Sequence, residues 1–185
     1  MGYEETRTQI VRALPKGATG AEIGVWKGDF SARILAEARP KKVYLIDPWK
    51  VSDRAEHATA WYGTARAPDM DVVYGDVRSR FAAEIEAGTV ETLRAPSADA
   101  LSALPDAVLD FAYVDGDHRY DAVRQDLELC VAKVRPGGVI CVDDHIRGRW
   151  WGDGVVRALN ETLGAHPAKL EVRYAHQSQV VLVRL

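Results

Sequence analysis

The stretch Asp110-Phe-Ala-Tyr-Val-Asp-Gly-Asp-His118 constrains this chain more than any other. A mostly apolar run, Phe111 to Val114, passes directly into two acids and a histidine, and a helical pattern follows at once. Such a run reads as a strand buried on both faces. Its charged end then lies at the carboxyl edge of a sheet, where open α/β folds bind ligands. A second junction repeats the pattern: Val139 to Val142 ends in Asp143-Asp-His145.

Strands and helices alternate around these junctions. Residues 1–16 form a leading segment whose helix covers 4–14, with Ile10, Val11 and Leu14 on one face and Pro15-Lys-Gly17 as its stop. Residues 18–25 read as the first strand, which breaks into Trp26-Lys-Gly28 before a helix carrying Phe30, Ile34, Leu35 and Ala38. Residues 42–46 are the second strand, closed by Asp47-Pro-Trp49. Residues 50–87, with Trp61, Tyr62, Met70, Val73, Phe81 and Ile85, suggest two helices separated by Ala67-Pro-Asp69.

The third strand is 89–94, a short helix opens at Pro96-Ser97, and the fourth strand is 108–114. Tyr120, Val123, Leu127, Cys130, Val131 and Val134 recur at helical spacing, and Arg135-Pro-Gly-Gly138 ends that helix. The fifth strand is 139–142, a helix covers about 154–163, and 170–175 and 179–185 read as strands joined by a tight turn. This order implies right-handed βαβ units and a mostly parallel sheet covered on both faces. The terminal hairpin adds one antiparallel strand near an edge.

At 185 residues the chain suits a single domain. Its net charge of -3, without a basic run, argues against a nucleic-acid partner or an anionic membrane surface. Apolar runs are strand-sized, and Met1 to Thr6 has neither the basic nor the apolar part of a secretory signal. Cys130 and Cys141 sit inside apolar segments, as reduced core thiols of a cytoplasmic protein do.

The candidate chemistry sits at strand ends. Gly24 and Gly28, in Glu22-Ile-Gly-Val-Trp-Lys-Gly28, stand at a strand-to-helix turn, either as a structural turn or as one that lets a ligand approach. Their G-x-x-x-G spacing differs from the G-x-G-x-x-G of dinucleotide sites. Asp47 ends the second strand, either solvated before a proline turn or accepting from both ribose hydroxyls; the glycine turn upstream favours the ribose. Trp49 packs on a purine or belongs to the core. Asp115, Asp143 and Asp144 end two strands expected to be neighbours, and converging carboxylates need protons or a cation between them. Mg²⁺ suits such oxygen ligands. The alternative is capping, for which Asp117 is the candidate. His118 is the histidine best placed to take a proton near neutral pH, with His145 as rival base or supporting partner. Trp150-Trp151, beside glycines, forms a flap, a hydrophobic plug or a dimer contact.

In this order the motifs resemble the class I S-adenosylmethionine-dependent methyltransferases, from about Ala18 to the terminal hairpin. The resemblance implies a Rossmann-like three-layer α/β sandwich with a seven-stranded sheet, order 3-2-1-4-5-7-6, and strand 7 antiparallel. It assigns the cofactor to Glu22, Gly24, Trp26, Gly28, Ser31, Asp47, Trp49, Ser97 and Asp115. Asp115-Gly-Asp-His118 with Asp143-Asp144 further resembles the metal-dependent O-methyltransferases of the macrolide-sugar and natural-product type. That implies Asp115, Asp143 and Asp144 as Mg²⁺ ligands and His118 as base, acting on a small-molecule hydroxyl such as a sugar or vicinal diol. Three alternatives stand beside it: a metal-independent methyltransferase, a nicotinamide-dependent oxidoreductase, and a non-catalytic cofactor-binding protein. Exposed tryptophans also leave a homodimer open.

Overall fold

A computed structural model of the chain describes residues 2–52 and 67–185. Seven strands form one sheet in the order β3-β2-β1-β4-β5-β7-β6. The strands are β1 (Thr19–Ile23), β2 (Lys42–Ile46), β3 (Val90–Leu93), β4 (Leu109–Val114), β5 (Val134–Val142), β6 (Leu170–His176) and β7 (Gln179–Arg184). β1 to β5 pair in parallel, while β7 runs antiparallel to both β5 and β6. This is the order and the single reversed strand expected from the sequence.

The described helices are α1 (Tyr3–Ala13), α2 (Asp29–Arg33), α3 (Met70–Arg80), α4 (Ala82–Glu86), α5 (Ser97–Ala103), α6 (Tyr120–Lys133) and α7 (Gly154–Ala165). A π turn, Ile34–Ala38, continues α2. They cover both faces and bury two apolar clusters. One packs α5, α6 and α7 on the sheet through Leu101, Leu127, Cys130 and Leu159. The other packs α1, the Phe30–Ala38 segment and α3 through Val11, Ile34, Val73 and Val77. β4 lies between β1 and β5, and Phe111 and Tyr113 on it are fully buried.

Two local features differ from the sequence expectation, and a third expectation lies outside the described residues. The helix expected before Ala67 falls on residues 53–66, outside the described residues, together with Trp61 and Tyr62. The helix after Asp69 divides at Phe81 into α3 and α4. The Arg135-Pro-Gly-Gly138 stretch does not end α6 through a loop. The chain turns from Lys133 directly into β5, and the glycines lie within an irregularity where the β4–β5 register shifts between Leu109 and Phe111.

The close approach of two strand ends fixes Gly24. Its φ is +88°, and a Cβ there would lie 2.1 Å from the Asp115 carbonyl oxygen. Gly88 shares the backbone conformation, with φ +75°, but has open space. Gly88→Ala is therefore expected to cost about 1–3 kcal/mol for conformation alone. Gly24→Ala should cost more, because main chain cannot move aside as a side chain does. Urea denaturation of the two variants checks this; equal losses would contradict it.

Candidate active site

The candidate residues gather at the carboxyl edge of the sheet. Three of the non-glycine residues with positive φ stand just beyond β1, β2 and β5: Trp26 (φ 50°), Trp49 (φ 39°) and Asp144 (φ 52°). Such backbone persists where surrounding structure enforces it, and it concentrates at functional sites.

Asp47 joins the first two strand ends. Its Oδ2 accepts the backbone N–H groups of Val25 (3.0 Å) and Trp26 (2.9 Å), and Oδ1 accepts that of Trp49 (2.7 Å). A carboxylate offers about four acceptor sites. With three taken, the remaining capacity suits one ribose hydroxyl, not the pair expected from sequence. Trp49 is fully buried against Tyr74, at 4.9 Å between ring centroids, and its Nε1 donates to the Trp26 carbonyl (2.8 Å). It belongs to the core and supports the glycine turn from below, so the purine-stacking role is corrected. Trp26 is the exposed member of the pair, at 40%.

Glu22 and Ser31 are likewise buried behind the turn, with the Ser31 hydroxyl donating to Glu22 Oε2 at 2.5 Å. They support the turn rather than line an open cleft. Gly28 begins α2 with φ 76°. Ser97 opens α5, and burial pushes the pKa of Asp126 up to about 7.

At the ends of β4 and β5, the ligand atoms of Asp115, His118 and Asp144 lie within 4.8 Å of one another. His118 Nε2 sits 3.1 Å from Asp144 Oδ2 and 3.6 Å from Asp115 Oδ1. It is buried and pairs with these oxygens by charge, without an aligned hydrogen bond. Burial disfavours the charged ring, but the two carboxylates outweigh it and hold the imidazole at about 9. Asp115 Oδ1 and Asp144 Oδ2, which face the same nitrogen, are oxygen donors of the kind a hard divalent cation takes.

Asp143 was expected in the same cluster and stands apart from it. Its side chain is fully buried and accepts from the hydroxyls of Tyr3 (2.9 Å) and Tyr113 (3.1 Å) and from the Gln179 amide. Burial, then the nearby Asp115 carboxylate, pushes its pKa up. Asp117 does not cap α6 itself. It accepts the Arg119 N–H (3.1 Å) in a turn ahead of the helix, whose first residue is Tyr120.

Trp151 lies across His118, with ring centroids 4.6 Å apart, and Trp150 meets Trp151 edge-on. Gly154, at the start of α7, brings this loop against the His118 turn: a Cβ there would lie 2.5 Å from the His118 carbonyl oxygen. His145 is outside the cluster, and burial followed by Arg147 lowers its pKa. His166 pairs with Glu128, His176 lies on the terminal hairpin, and His57 falls outside the described residues.

Sequence reasoning missed the contribution of α1. Arg7 Nη2 donates to Asp115 Oδ2 (2.7 Å), and its Nε donates to the Tyr113 hydroxyl (3.1 Å). The signal was present: Tyr3 and Arg7 continue the spacing of Ile10, Val11 and Leu14, so a cation occupies the buried stripe of an amphipathic helix.

Glu22 provides a pH test. Burial raises its pKa from 4.5 to about 8, against the pull of the Ser31 hydroxyl. The folded state thus binds its proton more tightly than the unfolded chain, and this group's contribution to stability falls between about pH 4.5 and 8. Glu22→Gln is expected to gain stability relative to wild type from pH 5 to pH 8 in chemical denaturation. A gap that stays constant or reverses would contradict the assignment.

Comparison with known proteins identifies the family and the fold. A family profile described as a methyltransferase domain matches residues 21–145, more than half of the chain. The O-methyltransferase NovP superposes with a TM-score of 0.67 at 22% identity, covering 97% of this chain and 78% of that one. An rRNA methylase from Streptococcus thermophilus superposes at 0.65 with 12% identity, covering 100% and 98%. SMU.1697c from Streptococcus mutans, solved in complex with SAH, gives 0.64 at 13%, covering 98% and 97%. At these identities the likeness is one of fold. Uncharacterized protein R132 of Acanthamoeba polyphaga mimivirus is 25% identical over 148 residues, which is 77% of this chain but only 58% of that protein. The matched segment runs from just before the glycine turn to His145, and with it the chain belongs to the methyltransferase-domain family.

Proposed function

We propose that this chain is an S-adenosylmethionine-dependent O-methyltransferase for a hydroxyl of a small molecule, assisted by a divalent ion, with His118 as the base. The observation that carries the reading is the convergence of Asp115, His118 and Asp144 beside the Gly24 turn. Asp115 and Asp144 are the residues that would hold the ion. When bound, a divalent cation such as Mg²⁺ supplies Lewis-acid polarisation of a substrate oxygen.

The chain's own residues do the rest. Gly24 lets the ends of β1 and β4 close on each other, and so shapes the turn that would face the sulfonium end of the cofactor. Asp47 keeps one acceptor position for its ribose, and Ser97 marks the turn beside its base. With positive charge supplied to the two carboxylates, the His118 imidazole no longer needs its own proton. Its Nε2 then accepts the proton of the acceptor hydroxyl. The oxygen takes the methyl group in line with the departing sulfur; near-attack placement contributes ~7–11 kcal/mol in favourable cases. Trp151, lying on the ring, keeps water from it. Asp143 serves as a buried support, because its carboxylate is committed to Tyr3, Tyr113 and Gln179.

The test uses calorimetry for SAH binding and methyl transfer to catechol as a vicinal-diol probe. SAH is expected to bind, and transfer should stop in EDTA and return with Mg²⁺. His118→Gln should lower kcat by about 10²–10⁴-fold. Transfer that survives both EDTA and Asp144→Asn would instead favour the metal-independent alternative.

A further inference from the structure

α1 does more than lead into the sheet. Tyr3 and Arg7 lie one turn apart on its buried face, and both reach the acids at the ends of β4 and β5. The Arg7 side chain is only 12% exposed. Its guanidinium carbon lies over Phe30, 4.0 Å from the ring centroid. From there Nη2 donates to Asp115 Oδ2 at 2.7 Å, while Nε donates to the Tyr113 hydroxyl and stands 3.3 Å from Asp143 Oδ2. Asp115 Oδ1 is left on the side of His118, at 3.6 Å from Nε2.

We propose that Arg7 is a positioning residue for the cation site, holding Asp115 by one oxygen so that the other faces His118 and Asp144. This rests on the reading of those three residues as the place of a divalent ion. The same guanidinium, with Tyr3, Tyr113 and Gln179, saturates Asp143 and closes it to the ion. The protein ligands would then be Asp115 and Asp144, with His118 beside them as the base.

The proposal has a sign that simple electrostatics does not share. A guanidinium beside a cation site repels the ion, so by charge alone its removal should tighten binding. By positioning, removal frees the Asp115 carboxylate to turn, and loss of such a partner typically weakens metal affinity 10–100-fold. Lysine keeps the charge but lacks the planar fork that reaches two acceptors at once.

Mn²⁺ binding to the full-length chain, followed by the electron paramagnetic resonance of free Mn²⁺, separates these outcomes without any turnover. Arg7→Met and Arg7→Lys are both expected to weaken Mn²⁺ by 10–100-fold. Arg12→Met, on the same helix but paired with the surface Glu37, should leave the affinity unchanged. Circular dichroism and SAH binding verify that each variant is folded, and Arg7→Lys carries the test if Arg7→Met does not fold. Affinity in the Arg7 variants equal to or tighter than wild type overturns the proposal, as does full retention in Arg7→Lys alone. Wild-type protein that binds no Mn²⁺ would instead remove the ion site on which the proposal rests.

Discussion

The acids collected at one sheet edge are the constraint on which the rest of this structure depends. Glu22, Asp47, Asp115, Asp143 and Asp144 all end or follow strands of the same edge. Left alone, such carboxylates repel one another and resist burial. Each is compensated in its own way. Asp47 takes backbone N–H groups, Glu22 takes a serine hydroxyl while burial favours its proton, and Asp143 takes two phenols and an amide. Asp115 shares Arg7 and His118, and Asp144 has His118. Among the described residues Asp144 is paired with His118 alone, whereas Asp115 also holds the permanent charge of Arg7.

The scaffold brings these groups together through β4. Its neighbours β1 and β5 end in the glycine turn and in Asp143-Asp144, so one central strand places the glycine turn and the acid cluster side by side. Residues just beyond three strand ends adopt left-handed backbone, which aims their side chains and N–H groups where an ordinary turn would not. α1 and the loop before α7 then close the site from two sides, the first with Tyr3 and Arg7, the second with Trp151.

Much of this was legible in the sequence because the signals were periodic or local. Strand and helix spacing implied a mostly parallel sheet and the hairpin signal one antiparallel strand near an edge, while the strand order itself followed from the family resemblance. The two strand-end motifs located Asp115, His118 and Asp144. What escaped depended on tertiary direction. Asp143 and Asp144 are adjacent, yet the extended strand sends one into the core, while left-handed backbone sends the other to the site. Trp49 lies next to a turn, where aromatic residues often meet ligands, and only packing against Tyr74 makes it core. Arg7 lies far in sequence from Asp115, and its partner could not be read from local pattern, although its place on a buried stripe marked it as unusual.

The central claim is that a cation belongs between Asp115 and Asp144, next to a cofactor held over Gly24. Crystals grown with SAH and Mn²⁺, measured for anomalous scattering, test both parts at once. The account requires SAH in the cleft and one anomalous peak within bonding distance of Asp115 and Asp144. SAH in place with no peak at saturating Mn²⁺, or a peak bound through Asp143 instead, would contradict it.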